Sequence, residues 1–385
     1  MRDVGQSFEE RWRAVISGRR TDRFARVARG AMAVAAELFG VLVRLRFSLY
    51  KRGVFKRSWP GCLVISVGNI TVGGTGKTPV VETFARALQK GGRHVAIVSR
   101  GYKARSPSWR WRWRNRTFIV DTKVVHDGTR LLLGAREAGD EPYMLARNLE
   151  HVAVVVDPDR VRGSRYAINA LGADTIILDD GMQHLRLQRQ IEVVLIDATC
   201  PFGFERLLPR GLLREPLSGL RRASHIFITK SENVDIAPIV ERIRTFNKTA
   251  EIIACYYEPV ALADLHSDAR MPITDIRDRN VLVVAGIAQP DGFVKLLRDL
   301  GALVQRVYAF ADHHRFRRDE IEVIYRRAGE LHADMIVMTE KDSVRFSRRV
   351  GTQAKPCPVC YLKVAIKIKS GAEDFTDCIA RICYP

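Results

Sequence analysis

The chain has 385 residues, 46% of them hydrophobic, with no long low-complexity tract or internal repeat. This composition supports sizeable cores, excludes a disordered or repeat protein, and the length allows two domains. Lys and Arg number 63 against 43 Asp and Glu, a formal net charge of +20 at pH 7. The expected partners are therefore anionic: nucleic acid, anionic lipid or a phosphorylated substrate.

Residues 1–57 form a basic segment, with 14 Lys or Arg against 5 Asp or Glu. It contains the apolar run "GAMAVAAELFGVLV" at 30–43, interrupted only by Glu37. This run is shorter than the roughly 20 residues that span a bilayer. Because arginines flank it on both sides, we predict a helix over about 30–50 that lies on an anionic membrane surface. A core helix packed on the sheet is the alternative interpretation.

A glycine-rich loop follows an apolar, β-prone run at 62–67. The loop, "TVGGTGKTP" at 71–79, leads into a segment with helical spacing of its apolar residues. Strand, glycine-rich loop and helix in this order predict a phosphate-binding P-loop. Backbone amides of the loop surround the phosphates, Lys77 reaches the β- and γ-phosphates, and the Thr78 hydroxyl binds Mg²⁺. Thr71 stands where the strict motif has glycine, which indicates an atypical subtype.

A Trp/Arg tract, "WRWRWRNR" at 109–116, comes after the next apolar run, "HVAIVS". In a strand its tryptophans lie on one face and its arginines on the other. Such a ribbon suits stacking on single-stranded nucleic acid, a membrane interface, or a half-buried hairpin. The tract alone does not decide among them.

Apolar runs alternate with helix-compatible segments through the rest of the chain. Those at 151–156, 174–178, 191–197 and 224–229 predict a parallel sheet with helices on both faces, an α/β fold of the P-loop NTPase type. Beyond residue 250, runs at 281–287, 303–310 and 334–339 predict a second, smaller α/β unit. Residues 359–368 are expected to pair back as a late strand in a hinge. The predicted division is 1–57, a nucleotide-binding core at 58–250, and a C-terminal domain at 251–385.

The segment "TIILDDGMQH" at 175–184 resembles a Walker B element. Asp179 and Asp180 come at the end of its strand, where carboxylates can face the P-loop and hold a metal ion.

Three further clusters carry side chains suited to phosphoryl transfer, which needs a base, cations and metal-binding carboxylates. Singly, each also has a structural explanation, as helix-cap acids, a solvated basic loop or a surface histidine pair. The clusters are "AGDEPYML" with Asp140 and Glu141, "RGLLREP" with Arg210, Arg214 and Glu215, and "FADHHRF" with Asp312, His313 and His314.

The four cysteines Cys357, Cys360, Cys378 and Cys383 faintly resemble a zinc site. The last pair, five residues apart, would diverge by about 140° on a helix. Reduced thiols are the expected state.

Several motifs together resemble, in order, the tetraacyldisaccharide 4'-kinase family from about residue 30 to residue 370. They are "SVGNITVGGTGKTP", "SRGYK", "GDEP", "VVVDPDR", "ILDDGMQH", "LLPRGLLREP", "FADHHRF" and "TEKD". The resemblance implies a kinase that uses Mg-ATP to phosphorylate the 4'-hydroxyl of a lipid A precursor, an acylated glucosamine disaccharide 1-phosphate. It also implies an N-terminal helix attached to the cytoplasmic face of the bacterial inner membrane, and no nucleic acid partner.

The resemblance also implies roles for individual residues. ATP would be held by Gly73, Gly74, Thr75, Gly76, Lys77 and Thr78, with Tyr102 near the nucleotide. Mg²⁺ would be served by Thr78, Glu141, Asp179 and Asp180. Asp140 would be the general base, aided by His313 rather than His314, and the substrate would lie near His184, Arg214 and Glu215.

Two other functions remain as alternatives. One is a nucleic-acid-dependent NTPase, which the net charge and the Trp/Arg tract favour, and the other is a P-loop switch protein.

Overall fold

Strands and helices alternate through most of the described chain. The computed structural model describes residues 12, 14–101, 122–287, 290–346 and 356–384, so Tyr102 and the Trp/Arg tract lie outside the described residues. The helices are α1 (Arg23–Lys51), α2 (Lys77–Lys90), α3 (Ala135–Ala138), α4 (Asp140–Asn148), α5 (Arg160–Leu171), α6 (Ala237–Arg244), α7 (Pro290–Asp299), α8 (Arg318–Glu330), α9 (Glu340–Ser343) and α10 (Ala372–Cys383). The strands are β1 (Leu63–Asn69), β2 (Val95–Ser99), β3 (Lys123–Asp127), β4 (Ala153–Val156), β5 (Thr175–Asp179), β6 (Ile191–Asp197), β7 (His225–Thr229), β8 (Glu251–Asp264), β9 (Arg270–Met271), β10 (Asn280–Ala285), β11 (Leu303–Ala309), β12 (Met335–Thr339) and β13 (Val359–Ser370).

The described strands form one sheet in the order β11-β10-β12-β13-β8-β7-β6-β1-β5-β2-β4-β3, with β9 added to β8. Two stretches of it are parallel, β11 to β13 and β8 to β4. They meet at an antiparallel pairing between the long strands β8 and β13. The predicted α/β fold, with a second parallel unit joined through a hinge strand, is confirmed.

Helices cover both faces of the sheet, as the continuous apolar runs predict for parallel strands. On β1, Ile65 faces a core with α2 and α4, whereas Val64 faces a core with α5. The C-terminal strands are covered by α7 on one face and α8 on the other. The last helix, α10, returns to pack on α2, where Phe375 meets the Phe84 ring edge-on at 5.1 Å.

One face of α1 packs on the sheet domain and the other is exposed. Ala36 and Gly40 are buried, and the Arg222 guanidinium lies 4.5 Å over the ring of Phe47. The apolar residues of the opposite face are 53–74% exposed: Val27, Val34, Leu38, Val41, Leu42 and Leu45. These side chains therefore do not belong to the core. Among the described residues, no helix combines the length and apolarity required to cross a membrane.

Strand register brings the predicted site motifs to one edge of the sheet. In the parallel pair β1 and β5, Val67 lies opposite Asp179. On the other side of β5, Val98 lies opposite Leu178, which places Ser99 beside Asp179. The P-loop after β1 and the Asp179–Asp180 pair after β5 thus share the carboxyl edge of the sheet, the usual position of ligand sites in such folds.

Candidate active site

The P-loop connects β1 to α2, and its glycines are required by its backbone. Gly73 and Gly76 have φ angles of 119° and 81°, in the left-handed region that glycine tolerates best. A Cβ on Gly76 would also fall 1.3 Å from the Tyr257 hydroxyl on β8. Gly74 is exposed and its Cβ position is open. The conformation leaves the N-terminus of α2 directed at the loop, as anion binding requires.

Lys77, the first residue of α2, is held at the loop by two neighbours. Its Nζ lies 3.3 Å from Asn69 Oδ1 and 3.7 Å from Asp180 Oδ1. Below the loop, the Thr229 hydroxyl donates to the Thr75 carbonyl at 2.9 Å. The loop is thus braced from β1 and β7, which keeps the lysine in place for a phosphate ligand.

Asp179 and Asp180 differ in environment although they are adjacent. Asp179 is 4% exposed and accepts a hydrogen bond from Ser99 at 3.0 Å. Burial, then the charges of Glu141 and Asp180, raise the pKa of Asp179 to about 6. Burial also raises the pKa of Asp180, but the cations Lys77 and Arg214 outweigh it, and the pKa lies below its ordinary value. Arg214 Nη1 donates to both Asp180 oxygens at 2.8 and 2.9 Å.

Asp140 begins α4 and meets a histidine from the C-terminal half of the chain. Its Oδ2 lies 3.3 Å from His313 Nδ1 and 3.5 Å from Arg345 Nε. Burial raises the pKa of Asp140, but the hydrogen bond from His313 and the charge of Arg345 outweigh it and hold the pKa below its ordinary value. No described residue donates a hydrogen bond to Oδ1 of Asp140. The carboxylate is therefore ionised at neutral pH, with one oxygen available.

His314 points elsewhere. Its Nε2 pairs with Glu320 Oε2 of α8 at 2.8 Å, and its ring stacks on Phe310 at 4.7 Å. The structure thus brings His313, and not its neighbour, to Asp140.

Known proteins similar to this chain identify its family. The family model for tetraacyldisaccharide-1-P 4'-kinase matches residues 28–383. A tetraacyldisaccharide 4'-kinase from Anaeromyxobacter sp. (strain K) is 40% identical over 332 residues, which cover 84% of this chain and 83% of that protein. One from Halothermothrix orenii is 35% identical, covering 82% and 83%. The chain belongs to the tetraacyldisaccharide-1-P 4'-kinase family.

A solved member of this 4'-kinase family has the same fold. The crystal structure of LpxK from Aquifex aeolicus, described as an "apo" form in complex with ATP, superimposes with a TM-score of 0.73 at 30% identity. The match covers 93% of this chain and 100% of that one. Together with the family match, this makes the chain a phosphotransferase with an alcohol acceptor.

The three residues predicted to lie near the 4'-kinase substrate have different surroundings. Arg214 pairs with Asp180, as described above. Glu215 is fully buried and accepts hydrogen bonds from Arg222 at 2.9 and 3.0 Å and from Gln183 at 2.9 Å. His184 has a buried Nε2 without a partner among the described residues. Burial and the charges of Arg160 and Arg189 lower the pKa of His184 to about 4, so its ring is neutral at pH 7.

Three charged residues at the site were not singled out in the sequence. Arg160 begins α5, is 6% exposed, and its buried side-chain Nε has no hydrogen-bond partner within the described residues. Its charge acts on Asp179 and Asp180. Lys341 and Arg345 surround the Asp140–His313 pair. Arg160 lies within "VVVDPDR" and Lys341 within "TEKD", so the motifs of the family resemblance could have indicated both residues. Arg345 belongs to none of these motifs.

The cysteines give no sign of a zinc site. All seven are free thiols, and burial raises the pKa of Cys360 to about 12. The described residues contain no group of three or more His, Cys, Asp or Glu side chains that could hold a metal ion by themselves.

Proposed function

We propose that this chain transfers the γ-phosphoryl group of ATP to the 4'-hydroxyl of a tetraacyldisaccharide 1-phosphate, a precursor of lipid A. One observation carries the proposal beyond family membership: Asp140, a carboxylate paired with His313, directly precedes Glu141, whose charge acts on Asp179 at the sheet edge that carries the P-loop. A switch protein or an ATPase that passes its phosphate to water has no need of a base presented by two halves of the chain. This pairing suits an enzyme with an alcohol acceptor.

The nucleotide would be bound by the P-loop. Backbone amides of Gly73, Gly74, Thr75 and Gly76 would surround its phosphates, and Lys77 would reach the β- and γ-phosphates. Tyr102, predicted near the nucleotide, lies outside the described residues. An ATP-bound relative with the same fold supports this assignment.

The donors at the P-loop fit Mg²⁺. This ion takes one or two protein oxygens and completes its octahedron with phosphate and water, so a larger protein cluster is unnecessary. Thr78 on α2 and Asp179 on β5 supply a hydroxyl and a carboxylate. Burial is the main cause of the raised pKa of Asp179, and the charges of Glu141 and Asp180 raise it further. A bound cation would offset this negative charge. The metal would offset charge on the phosphate oxygens during transfer.

Of the three acids, Asp180 is the least free to bind the metal directly. Both of its oxygens accept from Arg214, and Lys77 lies 3.7 Å away. We infer that Asp180 orients these two cations toward the phosphates or binds through water, while Asp179 contacts the ion and Glu141 assists.

Asp140 would accept the proton of the 4'-hydroxyl on Oδ1. A carboxylate with a lowered pKa is a weak base, but a loose phosphoryl-transfer transition state lets the proton leave late. The other oxygen, Oδ2, contacts His313 Nδ1, and Arg345 Nε lies 3.5 Å from the same oxygen. The 4'-oxygen then bonds to the γ-phosphorus as the bond to the bridging oxygen breaks, and ADP leaves with that electron pair.

The disaccharide would lie over the loops that carry His184, Arg214 and Glu215. Because Glu215 is buried and fully paired, its part would be to hold Arg222 and Gln183 rather than to touch the sugar. His184, neutral and without a partner among the described residues, can exchange a hydrogen bond with a sugar hydroxyl or a phosphate.

The exposed apolar face of α1 would lie in the inner membrane on its cytoplasmic side, which would bring the site to a lipid substrate. Arginines at both ends of the helix suit anionic headgroups. The predicted units, 1–57, 58–250 and 251–385, would then serve as membrane contact, nucleotide core and a domain that delivers His313 on closure.

The test is transfer of label from γ-labelled ATP to tetraacyldisaccharide 1-phosphate in detergent micelles. Label is expected on the disaccharide, none on an analogue lacking the 4'-hydroxyl, and none with the Lys77→Ala variant. Label released only as inorganic phosphate would favour the switch protein. ATP hydrolysis stimulated by single-stranded DNA in a salt-sensitive manner, without transfer, would favour the nucleic-acid-dependent NTPase.

A further inference from the structure

Lys341, on the short helix α9, lies among the groups that surround the base. Its Nζ is 3.1 Å from Nε2 of His313, 3.6 Å from Glu141 Oε1 and 3.6 Å from Asp312 Oδ1. Its side chain is only 26% exposed. The proposed phosphoryl transfer assigns no role to this ammonium group.

The contact between Lys341 Nζ and His313 Nε2 determines which ring nitrogen of the imidazole carries the hydrogen. A lysine ammonium has only N–H donors, so the ring nitrogen facing it must offer a lone pair. With Nε2 as acceptor, the neutral ring carries its hydrogen on Nδ1. That nitrogen lies 3.3 Å from Asp140 Oδ2, so the N–H is directed at the carboxylate.

Asp312 offers the competing arrangement. Its Oδ2 lies 3.9 Å from His313 Nε2, close enough to attract a hydrogen on that nitrogen. In that tautomer Nδ1 would turn a lone pair toward the Asp140 carboxylate, and their hydrogen bond would be lost. Lys341 opposes this tautomer twice, since it occupies Nε2 and also neutralises Asp312.

We propose that Lys341 is a positioning residue that holds His313 as the Nδ1–H tautomer, so that the histidine donates to Asp140 and does not accept its proton. The consequence for catalysis rests on the proposed function. The acceptor hydroxyl loses its proton to Asp140 Oδ1, and the proton stays there, because His313 Nδ1 already carries one. Arg345 Nε, 3.5 Å from the same Oδ2, supports the ionised carboxylate from the other side.

The tautomer can be read directly by NMR on full-length protein labelled with ¹⁵N-histidine, in which long-range ¹H–¹⁵N couplings distinguish the two ring nitrogens. The His313 signals are identified by their absence in His313→Gln. The wild type is expected to show a protonated Nδ1 and an unprotonated Nε2. Lys341→Met is expected to increase the fraction of His313 rings with hydrogen on Nε2, because Asp312 is no longer neutralised, and Lys341→Arg is expected to retain the wild-type pattern.

Two further variants sharpen the comparison. Lys341→Met combined with Asp312→Ala removes the competing acceptor and is expected to return the ring toward Nδ1–H. Lys363→Met is the matched control, because Lys363 pairs with Glu340 at 3.2 Å and Asn148 at 2.9 Å and does not contact His313. A wild-type ring with hydrogen on Nε2, or a Lys341→Met ring identical to the wild type, would overturn the proposal.

Kinetics provide the second readout. A wrong histidine tautomer costs about 10⁴ in kcat where the histidine itself is the base. Here it supports the base, so Lys341→Met is expected to lower kcat at least ~10-fold while KM for ATP changes less than about twofold. Unchanged kcat in a variant with the altered tautomer would contradict the catalytic consequence. If the wild type shows the expected tautomer but transfers no label to the disaccharide, the proposed function fails and the tautomer assignment stands.

Discussion

His313 Nδ1 lies 3.3 Å from Asp140 Oδ2 although 173 residues separate the two in sequence. Asp140 begins α4, beside the P-loop half of the sheet, whereas His313 follows β11 at the far end of the other half. The antiparallel pairing of β8 with β13 joins these halves. The Asp140–His313 pair is therefore assembled by tertiary structure, and the proposed role of Asp140 as the base can be tested on either side of the pair.

Asp140→Asn is expected to lower kcat by the ~10²–10⁴ that general-base catalysis supplies, because the amide keeps the shape but accepts no proton. His313→Ala is also expected to lower kcat. The double variant should lose little more than the worse single variant, since residues that act as a unit are non-additive. ATP affinity should stay within about twofold throughout. The measurements are turnover at saturating glycolipid and nucleotide binding by calorimetry.

His314→Ala is the matched control for this series, because His314 pairs with Glu320 and not with Asp140. It is expected to stay within a few-fold of wild-type kcat. A loss below about tenfold in Asp140→Asn would remove Asp140 as the base and make Glu141 the next residue to test.

Asp179→Asn is expected to stabilise the metal-free protein at pH 7.5 while it abolishes activity. The folded-state pKa of Asp179, about 6, lies above that of an unfolded aspartate, so the folded state binds the extra proton. Wild-type stability therefore falls as pH rises from about 4 to about 6 and stays lower above it. Removing the charge should return on the order of 3 kcal/mol at pH 7.5 and little at pH 4. Urea unfolding in EDTA at both pH values measures this.

Asp180→Asn, at the adjacent residue, is expected to change the stability at pH 7.5 in the opposite direction. Its folded-state pKa is lowered, so the carboxylate contributes stability at neutral pH that is lost as pH falls through the folded-state pKa. The substitution should destabilise the protein at pH 7.5. Destabilisation by both variants would show that the burial of Asp179 is not the dominant cost.

Local patterns were enough to predict the nucleotide edge of the site. An apolar run followed by glycines and Gly-Lys-Thr predicts β1, the loop and α2, and a strand ending in two aspartates predicts β5. The α/β fold followed from the alternation of runs, because parallel strands buried on both faces are apolar throughout. The edge strand β3 was missed, since "KVVHD" is short and half polar.

The contacts between distant segments could not be read from local patterns. Arg345 lies in "SVRF", which has no catalytic signature, and becomes visible only when α9 packs beside α4. The closeness of Tyr257 to Gly76 could not be predicted either, because it depends on the register of β8. The pairing of Asp140 with His313 was predicted from the family resemblance and not from spacing.

The exposed face of α1 allows the proposed membrane binding to be tested by substitutions that lie outside the P-loop. Leu38→Glu combined with Leu42→Glu places two charges on side chains that are each 64% exposed. Binding to anionic vesicles should fall at least ~10-fold, and KM for glycolipid should rise, because each leucine contributes about 1.5–3 kcal/mol when buried in an apolar phase. ATP affinity should be unchanged. Flotation with vesicles and glycolipid kinetics measure the two effects.

Val323→Glu is the control for this pair, since Val323 is an apolar residue 42% exposed on α8. It should leave flotation unaffected. Equal vesicle binding by the α1 double variant and the wild type would show that another surface carries the membrane contact.

Gly76→Ala is expected to unfold the P-loop region, whereas Gly74→Ala is expected to leave stability nearly unchanged. At Gly76 the φ of 81° costs a side chain about 1–2 kcal/mol, and the added Cβ would fall 1.3 Å from the Tyr257 hydroxyl and 2.6 Å from its ring carbon Cζ. At Gly74 no described heavy atom lies within 4 Å of the Cβ position. Urea unfolding of the nucleotide-free variants should separate their free energies of unfolding by at least ~2 kcal/mol, since overpacking adds about 1–3 kcal/mol to the cost of the backbone conformation.

Tyr257→Phe in the Gly76→Ala background should recover only part of the lost stability, because removing the hydroxyl leaves both the contact with the ring carbon and the backbone strain. Full recovery would show that the hydroxyl contact alone requires glycine at this position, and equal stability of the two alanine variants would contradict the described loop conformation.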